Sequence, residues 1–302
     1  MTDSKIFDAI IVGGSYAGLS AAMALGRSLR NVLIIDSGFP CNSQTPHSHN
    51  FLTQDGKTPQ EISTLAIQQV QNYETIKFYS GLAIRGTKMG NGFEITTAKN
   101  DKFTARKLIF ATGIKDIMPD IKGFAASWGI SIIHCPYCHG YEYRNQNTGI
   151  IANGTRAFHL ASLVHNLTDK ITILTMGKAD FNAEQLNKLN ENSINIIETK
   201  ISEFENDKGI LKKVVFDDNT KIPFNFAYAA IPFLQHSDIM ASLGCELTEH
   251  GFIKVDEFQK TTIEGVYACG DNSNMMRSIA NAVYTGNFTG AVVNGELTKE
   301  QF

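Results

Sequence analysis

Cysteine is scarce in this chain: five residues in 302, of which only Cys135 and Cys138 lie close together. An odd, low count in so long a chain excludes a framework of structural disulfides. Cys41, Cys245 and Cys269 read instead as small packing residues. No apolar run approaches the ~18 residues of a membrane span. Neither sign of charge dominates: the net charge is -3, which excludes a basic face for nucleic acid or a membrane surface. There is no low-complexity tract. The strand-like run Asp8-Ala9-Ile10-Ile11-Val12 leaves no room for a signal peptide, so the expected location is cytoplasmic. Tryptophan occurs once, at Trp128, and reads as packing near a domain hinge. The length is comfortable for two domains.

What is present begins with one βαβ unit over residues 8–36. Its first strand runs into Gly13-Gly14-Ser15-Tyr16-Ala17-Gly18, an Ala/Leu-rich helix follows from Leu19 to about Leu29, and a strand Val32–Ile35 ends at Asp36. Gly13 allows the tight turn and Gly18 lets helix and strand approach. The helix start presents unpaired N–H groups to a pyrophosphate. Asp36 stands about 20 residues on, where an acid accepts from a ribose hydroxyl. Ser15 replaces the middle glycine of G-x-G-x-x-G but is small enough for phosphate approach. A buried βαβ unit without ligand is the plain alternative; strand, turn, helix and acid together favour a nucleotide.

Two later segments sharpen this. Lys107–Gly113 reads as a buried strand ending in Ala111-Thr112-Gly113, and Gly265-Val266-Tyr267-Ala268-Cys269-Gly270-Asp271 as a short strand ending in Gly-Asp. Fingerprint, A-T-G and G-D segment, in this order, resemble the two-dinucleotide-binding flavoprotein superfamily. The resemblance implies FAD, held by Gly13, Ser15, Tyr16, Ala17, Gly18, Asp36, Ala111, Thr112 and Gly113, with the Asp271 carboxylate at its ribityl or pyrophosphate region.

Between these segments a second strand–turn–helix, Thr148–Ala157, is followed by a strand, Ile171–Leu174. The expected fold is therefore α/β, with two Rossmann-like dinucleotide-binding domains, the second inserted in the first. Residues 1–116 and 238–302 form the FAD domain and 117–237 the central NAD(P)-binding-like domain. Over the whole chain this plan resembles the low-molecular-weight thioredoxin reductases, which implies a homodimer and a C-x-x-C disulfide in the central domain that meets the flavin. Two departures follow. Ala152 takes the first glycine position of the second fingerprint, where only Gly154 and Ala157 match. The segment Thr175-Met176-Gly177-Lys178 lacks the arginines that grip the 2′-phosphate of NADPH, and also an acid suited to NADH. NADPH is not expected to be an efficient donor.

The segment His134-Cys135-Pro136-Tyr137-Cys138-His139 carries the chemistry. With the opening Gly-Gly-Ser-Tyr-Ala-Gly it resembles the FAD-dependent dithiol oxidases that close disulfides in small molecules such as gliotoxin and holomycin. The resemblance implies His139 as acid/base, Cys138 as the flavin-proximal sulfur and Cys135 as its partner; which sulfur meets substrate stays open. The residue chemistry agrees. A thiolate attacks a disulfide, a free thiol has a pKa of ~8.5, and an imidazole titrating near ~6.5 can exchange its proton. C-x-x-C-H is also a c-type haem attachment motif, which would need export. His134, Cys135, Cys138 and His139 could supply zinc ligands, but structural zinc sites pair two clusters and only one exists. No metal ligand set is assigned.

Weaker positions complete the expectation. His47, His49 and Asn50 lie in the polar loop Asn42–Gln54, which by resemblance passes the flavin, with Asn50 near the FAD. For the histidines a solvated turn is an equal alternative. Arg277-Ser278 stands where thioredoxin reductases have Arg-Gln beside the isoalloxazine. The helix expected from Ile279 would contribute backbone groups of Ser278 and Ile279 and a favourable dipole. The leading function is an FAD-dependent thiol–disulfide oxidoreductase acting on a dithiol or disulfide, a small molecule or a thioredoxin-like protein. An NADPH-dependent thioredoxin reductase and a non-catalytic redox-sensing flavoprotein are the alternatives.

Overall fold

A computed structural model describes residues 6–302. Its internal contacts divide the chain into two units. The first comprises the residues up to Ser43, Pro59–Lys115 and Phe233–Phe302; the second comprises Gln44–Thr58 and Asp116–Pro232. The fold is α/β, with two Rossmann-like units, the second inserted in the first. The short segment Gln44–Thr58, run with the first domain in the sequence reading, groups with the second unit.

The first unit opens β1 (Phe7–Val12), α1 (Tyr16–Arg27), β2 (Val32–Asp36), α2 (Pro59–Gln71) and β3 (Ile76–Ser80). The hairpin β4 (Ala83–Met89) and β5 (Gly92–Thr97) then leads into β6 (Lys102–Phe110), and β7 (Ile114–Asp116) follows. In the second unit come α3 (Phe124–Ser127), β8 (Ile132–Ile133), α4 (Pro136–His139), β9 (Thr148–Ile151), α5 (Gly154–Val164), β10 (Ile171–Leu174), α6 (Ala183–Glu191) and β11 (Asn195–Ile197). It ends with β12 (Ile201–Asp207), β13 (Ile210–Phe216), β14 (Lys221–Pro223) and β15 (Phe226–Ala229). The chain then returns to the first unit through β16 (Phe233–Gln235), α7 (Ile239–Ser242), β17 (Val266–Ala268) and α8 (Ile279–Gln301).

The first unit's sheet runs β3-β2-β1-β6-β5-β4, with β17 also paired to β6. The β3, β2, β1, β6 and β17 pairings are parallel. Strands of a parallel sheet are covered on both faces and so read as unbroken apolar runs. Ala9, Ile10, Ile11, Leu108, Ile109 and Phe110 are accordingly all fully buried. Helix α1 covers the sheet and is itself covered by α8. A Cβ on Gly286 would strike the Ala17 carbonyl oxygen, and one on Gly290 would lie 2.6 Å from that of Ala21. Glycine at both places lets the helices approach at backbone distance. The Ser20 hydroxyl donates to the Val283 carbonyl at 2.7 Å across the same seam.

The second unit has a parallel sheet ordered β11-β10-β9-β15-β8 and a three-stranded antiparallel sheet β12-β13-β14. Its aromatic core includes Trp128, which stacks on Phe124 with ring centroids 5.6 Å apart and donates its indole N–H to Asp116 at 3.2 Å. Among the described residues, no helix is long and apolar enough to cross a membrane.

Candidate functional site

Three sequence-distant signatures meet in the first unit because β1, β6 and β17 are neighbours. Parallel pairing puts their C-terminal ends side by side, where α/β sheets bind ligands. Gly13 has φ 105°, and a Cβ there would collide with the Ala111 carbonyl oxygen; one on Gly18 would collide with the Gly13 carbonyl oxygen. Gly13 is thus required by its contact with the A-T-G turn as well as by its own turn. The junction is tied together by hydrogen bonds. Ala111 N donates to Val12 O at 2.8 Å, Cys269 N to Phe110 O at 3.0 Å, and Gly270 N to the Thr285 hydroxyl at 3.0 Å. Gly113 closes the turn at φ 61°.

Helix α1 begins at Tyr16, not Leu19, with Ser15 as its N-cap and no capping bond from the serine side chain. Ser15, Tyr16, Ala17 and Gly18 therefore form the helix start itself, whose first N–H groups have no intrahelical acceptor. The Asp36 carboxylate accepts from Gly14 N at 2.9 Å, which fixes it beside the turn. Tyr16 is buried, its hydroxyl 3.4 Å from the Pro59 carbonyl and 3.4 Å from Asn42 Nδ2; burial raises its pKa. Just beyond the end of β17, Asp271 lies 3.9 Å from Arg277. Ser278 is the N-cap of α8, its hydroxyl accepting from Asn281 N at 3.1 Å, so that side chain is engaged and Ile279 opens the helix. These residues fit a dinucleotide: a cradle that tolerates no Cβ at Gly13 or Gly18, a helix start open to anions, and an acid at the end of β2. Asn272, missed in the sequence, is fully buried and donates to Phe110 O at 2.8 Å, holding the G-D segment against β6. Cys269 is fully buried and its thiol is pushed up to about 12 by burial; Cys245 is raised by the same cause, so both are packing residues.

In the second unit Cys135 and Cys138 form a disulfide, with Cα atoms 5.4 Å apart. Pro136 starts the single-turn helix α4, which Cys135 caps, and Cys138 N donates to Cys135 O at 3.3 Å. Paired in this way, the two sulfurs are not zinc thiolates. Tyr137, between them in sequence, is 67% exposed, so the motif is open to solvent within its own unit. His139 ends α4. Burial pushes its imidazole down to about 4, His49 adds to the shift and Glu142 opposes it. The value near 6.5 expected from sequence is thereby corrected: a desolvated imidazole disfavours its charged form.

His49 packs edge-on against His139 with ring centroids 5.9 Å apart. Its Nδ1 lies 3.6 Å from Glu142 Oε1 and 3.7 Å from Asp55 Oδ1. The loop carrying it is closed on itself. Ser48 N donates to Lys57 O at 2.7 Å, Gly56 N to Ser48 O at 2.9 Å, and Asn50 N to Asp55 Oδ1 at 2.7 Å. Asn50 is thus grouped with the cysteine motif, and His49 is no solvated turn residue. Glu142, three residues beyond His139, carried no separate signal in the sequence.

The turn of the second fingerprint is bonded to the loop after β10. Asn153 caps α5; its Oδ1 accepts from Gly154 N at 2.8 Å and from Asp180 N at 2.9 Å, and its Nδ2 donates to Lys178 O at 2.9 Å. The loop after β10 is held further by Glu198, which accepts from Ala179 N at 2.6 Å.

The profile of the pyridine nucleotide-disulphide oxidoreductase family matches residues 7–286, and the chain belongs to that family. It is accordingly an FAD-dependent disulfide oxidoreductase. Thioredoxin reductase tcpT of Claviceps purpurea is 32% identical over 310 residues, covering 98% of this chain and 96% of that protein. Thioredoxin reductase sirT of Leptosphaeria maculans is 31% identical, covering 97% and 95%. Among solved structures, an oxidoreductase from Agrobacterium tumefaciens superposes with a TM-score of 0.91 at 34% identity, covering 98% of this chain and 99% of that one.

Proposed function

We propose that the protein oxidises dithiols: the Cys135–Cys138 disulfide accepts two electrons from a substrate dithiol, and NADPH is not its efficient donor. A substrate thiolate attacks one sulfur of the disulfide, and the second substrate sulfur then displaces the enzyme. The substrate leaves as a disulfide, and Cys135 and Cys138 are left reduced with two protons to be placed. His139, uncharged in the resting enzyme, takes the proton from the attacking thiol and returns it to a departing sulfur. FAD, when bound, carries the electron pair from the reduced cysteines to a final acceptor, for which oxygen is the simplest choice. Gly13, Ser15, Tyr16, Ala17, Gly18, Asp36, Ala111, Thr112, Gly113, Asp271, Ser278 and Ile279 would hold it; Asn50 is proposed beside it on the resemblance alone.

The observation that carries this reading is the state of the central fingerprint. A pyrophosphate needs the free N–H groups of a helix start. Here Asn153 Oδ1 already takes Gly154 N, Ala152 stands in place of glycine, and the loop Thr175–Lys178 lacks the arginine pair of a 2′-phosphate site. These features argue against NADPH as an efficient donor. Anaerobic titration of the FAD-loaded protein, followed by flavin absorbance near ~450 nm, tests it. Dithiothreitol is expected to bleach the flavin and NADPH to leave it unchanged; rapid bleaching by near-stoichiometric NADPH would instead make the protein an NADPH-dependent reductase. We further propose that the protein works as a homodimer, as the resemblance to thioredoxin reductases implies, and that it is cytoplasmic.

A further inference from the structure

The neighbourhood of the cysteine motif holds a group of side chains that thiol chemistry leaves unexplained. His49, His139 and Glu142 each bring one ligand-type atom, a ring nitrogen or a carboxylate oxygen, and these atoms all lie within 4.8 Å of one another. They come from three places in the second unit: the loop 44–58, the last position of α4, and the turn after it. We propose that His49, His139 and Glu142 form a binding site for a borderline divalent cation of the zinc type, with a water completing the coordination.

The donor set selects the metal class. Two imidazoles and one carboxylate suit zinc with an open fourth position, whereas calcium and magnesium call for oxygen donors throughout. The geometry is near that of a site. Tetrahedral ligation at zinc distances sets ligand atoms about 3.4 Å apart. The His49–Glu142 pair is already at 3.6 Å. The other pairs lie within 4.8 Å, and the Glu142 side chain, 36% accessible, can adjust toward a bound ion. His49 is held by its closed loop, through Ser48 N to Lys57 O and Gly56 N to Ser48 O.

The site has a consequence for the proposed reaction, because the imidazole that would hold metal is the one that would accept the thiol proton. Occupancy and turnover then compete at His139, and zinc acts as an inhibitor of the resting disulfide form. Binding itself does not depend on turnover, so the inference stands or falls separately from the proposed function.

The test uses the oxidised, FAD-loaded enzyme after chelator treatment, with both cysteines tied in their disulfide. Zinc chloride is titrated against a chromophoric zinc indicator, and cobalt(II) chloride is titrated in parallel with its visible absorption read above the flavin band. One metal per chain is expected. His49→Ala and Glu142→Gln should each weaken binding by more than about tenfold, since they remove a direct ligand. His250→Ala, at the exposed His250–Glu249 pair, should leave it unchanged. The two ligand variants sit on different segments, and an unchanged circular dichroism spectrum and Tm report that each has folded. Binding weaker than about 100 µM, or equal in wild type and both ligand variants, overturns the site. Weakening in only one of the two overturns the three-ligand assignment.

Discussion

Replacing His139 by glutamine removes the titratable group while keeping a polar side chain of similar size. In the resting enzyme the imidazole is held near 4, chiefly by burial, so it is uncharged throughout the neutral range. Taking a proton from a thiol of pKa ~8.5 is then uphill by about 6 kcal/mol, because each pKa unit is worth about 1.4 kcal/mol. The imidazolium and thiolate so formed attract one another, by about 4 kcal/mol at 4 Å in a partly buried site. That attraction makes the base useful despite its low resting pKa, and it is what glutamine forfeits. The loss corresponds to roughly 10²- to 10³-fold in rate at neutral pH, within the usual range for general acid–base catalysis. Anaerobic stopped-flow bleaching of the flavin by a dithiol, with chelator-treated enzyme over pH 5–9 as the approximate working range, measures it. Wild type should show no inflection near 6.5, its acid limb lying toward 4 because the uncharged form prevails above that value. The variant should instead gain about tenfold per pH unit until the substrate thiol ionises. A His139→Gln enzyme with the wild-type rate at pH 7 would refute the base, and a wild-type limb centred near 6.5 would refute the burial argument.

Cys135→Ser and Cys138→Ser should each abolish dithiol turnover while leaving the FAD bound, as read by substrate assay and flavin absorbance. Full turnover in either variant would falsify the dithiol-oxidase reading. Gly290→Ala places a Cβ 2.6 Å from the Ala21 carbonyl, so α8 must lift from α1, at a cost of about 1–3 kcal/mol; thermal unfolding should show the lowered Tm. His139 also links stability to pH. Its pKa falls on folding from 6.5 to about 4, so its contribution is full above 6.5 and is lost as pH falls toward 4, by up to about 3 kcal/mol. Urea unfolding at several pH values should show this acid slope in wild type and a shallower one in His139→Gln; equal slopes would remove the effect.

The parts of this protein that were legible in its sequence are those in which one chain segment carries its own physics. The β1–α1–β2 unit announces itself through apolar strands, a glycine turn and a terminal acid, all within residues 8–36, and the structure has each of them. The helix start was misplaced by three residues because Ser15-Tyr16-Ala17 looks like turn in sequence, yet Ser15 caps and Tyr16 already lies in the helix. What could not be read is whatever depends on chain segments far apart. Gly13 faces Ala111 across about a hundred residues, and only the β1–β6 pairing makes that glycine indispensable. His49 was a loop histidine with two equal readings until the loop 44–58 grouped with the second unit and placed it against His139 and Glu142. Asn153 shows the same limit most sharply. Its spacing marks it as a filler position of a nucleotide fingerprint, and a filler should be indifferent to identity. Its side chain instead bonds to Gly154, Lys178 and Asp180, joining the turn to the loop after β10. Two of those partners lie more than twenty residues on, so the link follows from the β9–β10 pairing and not from the fingerprint's spacing. On the proposed reading, Ala152 and the absence of arginine in Thr175–Lys178 belong with this bonding, as joint features of a segment that does not favour a dinucleotide.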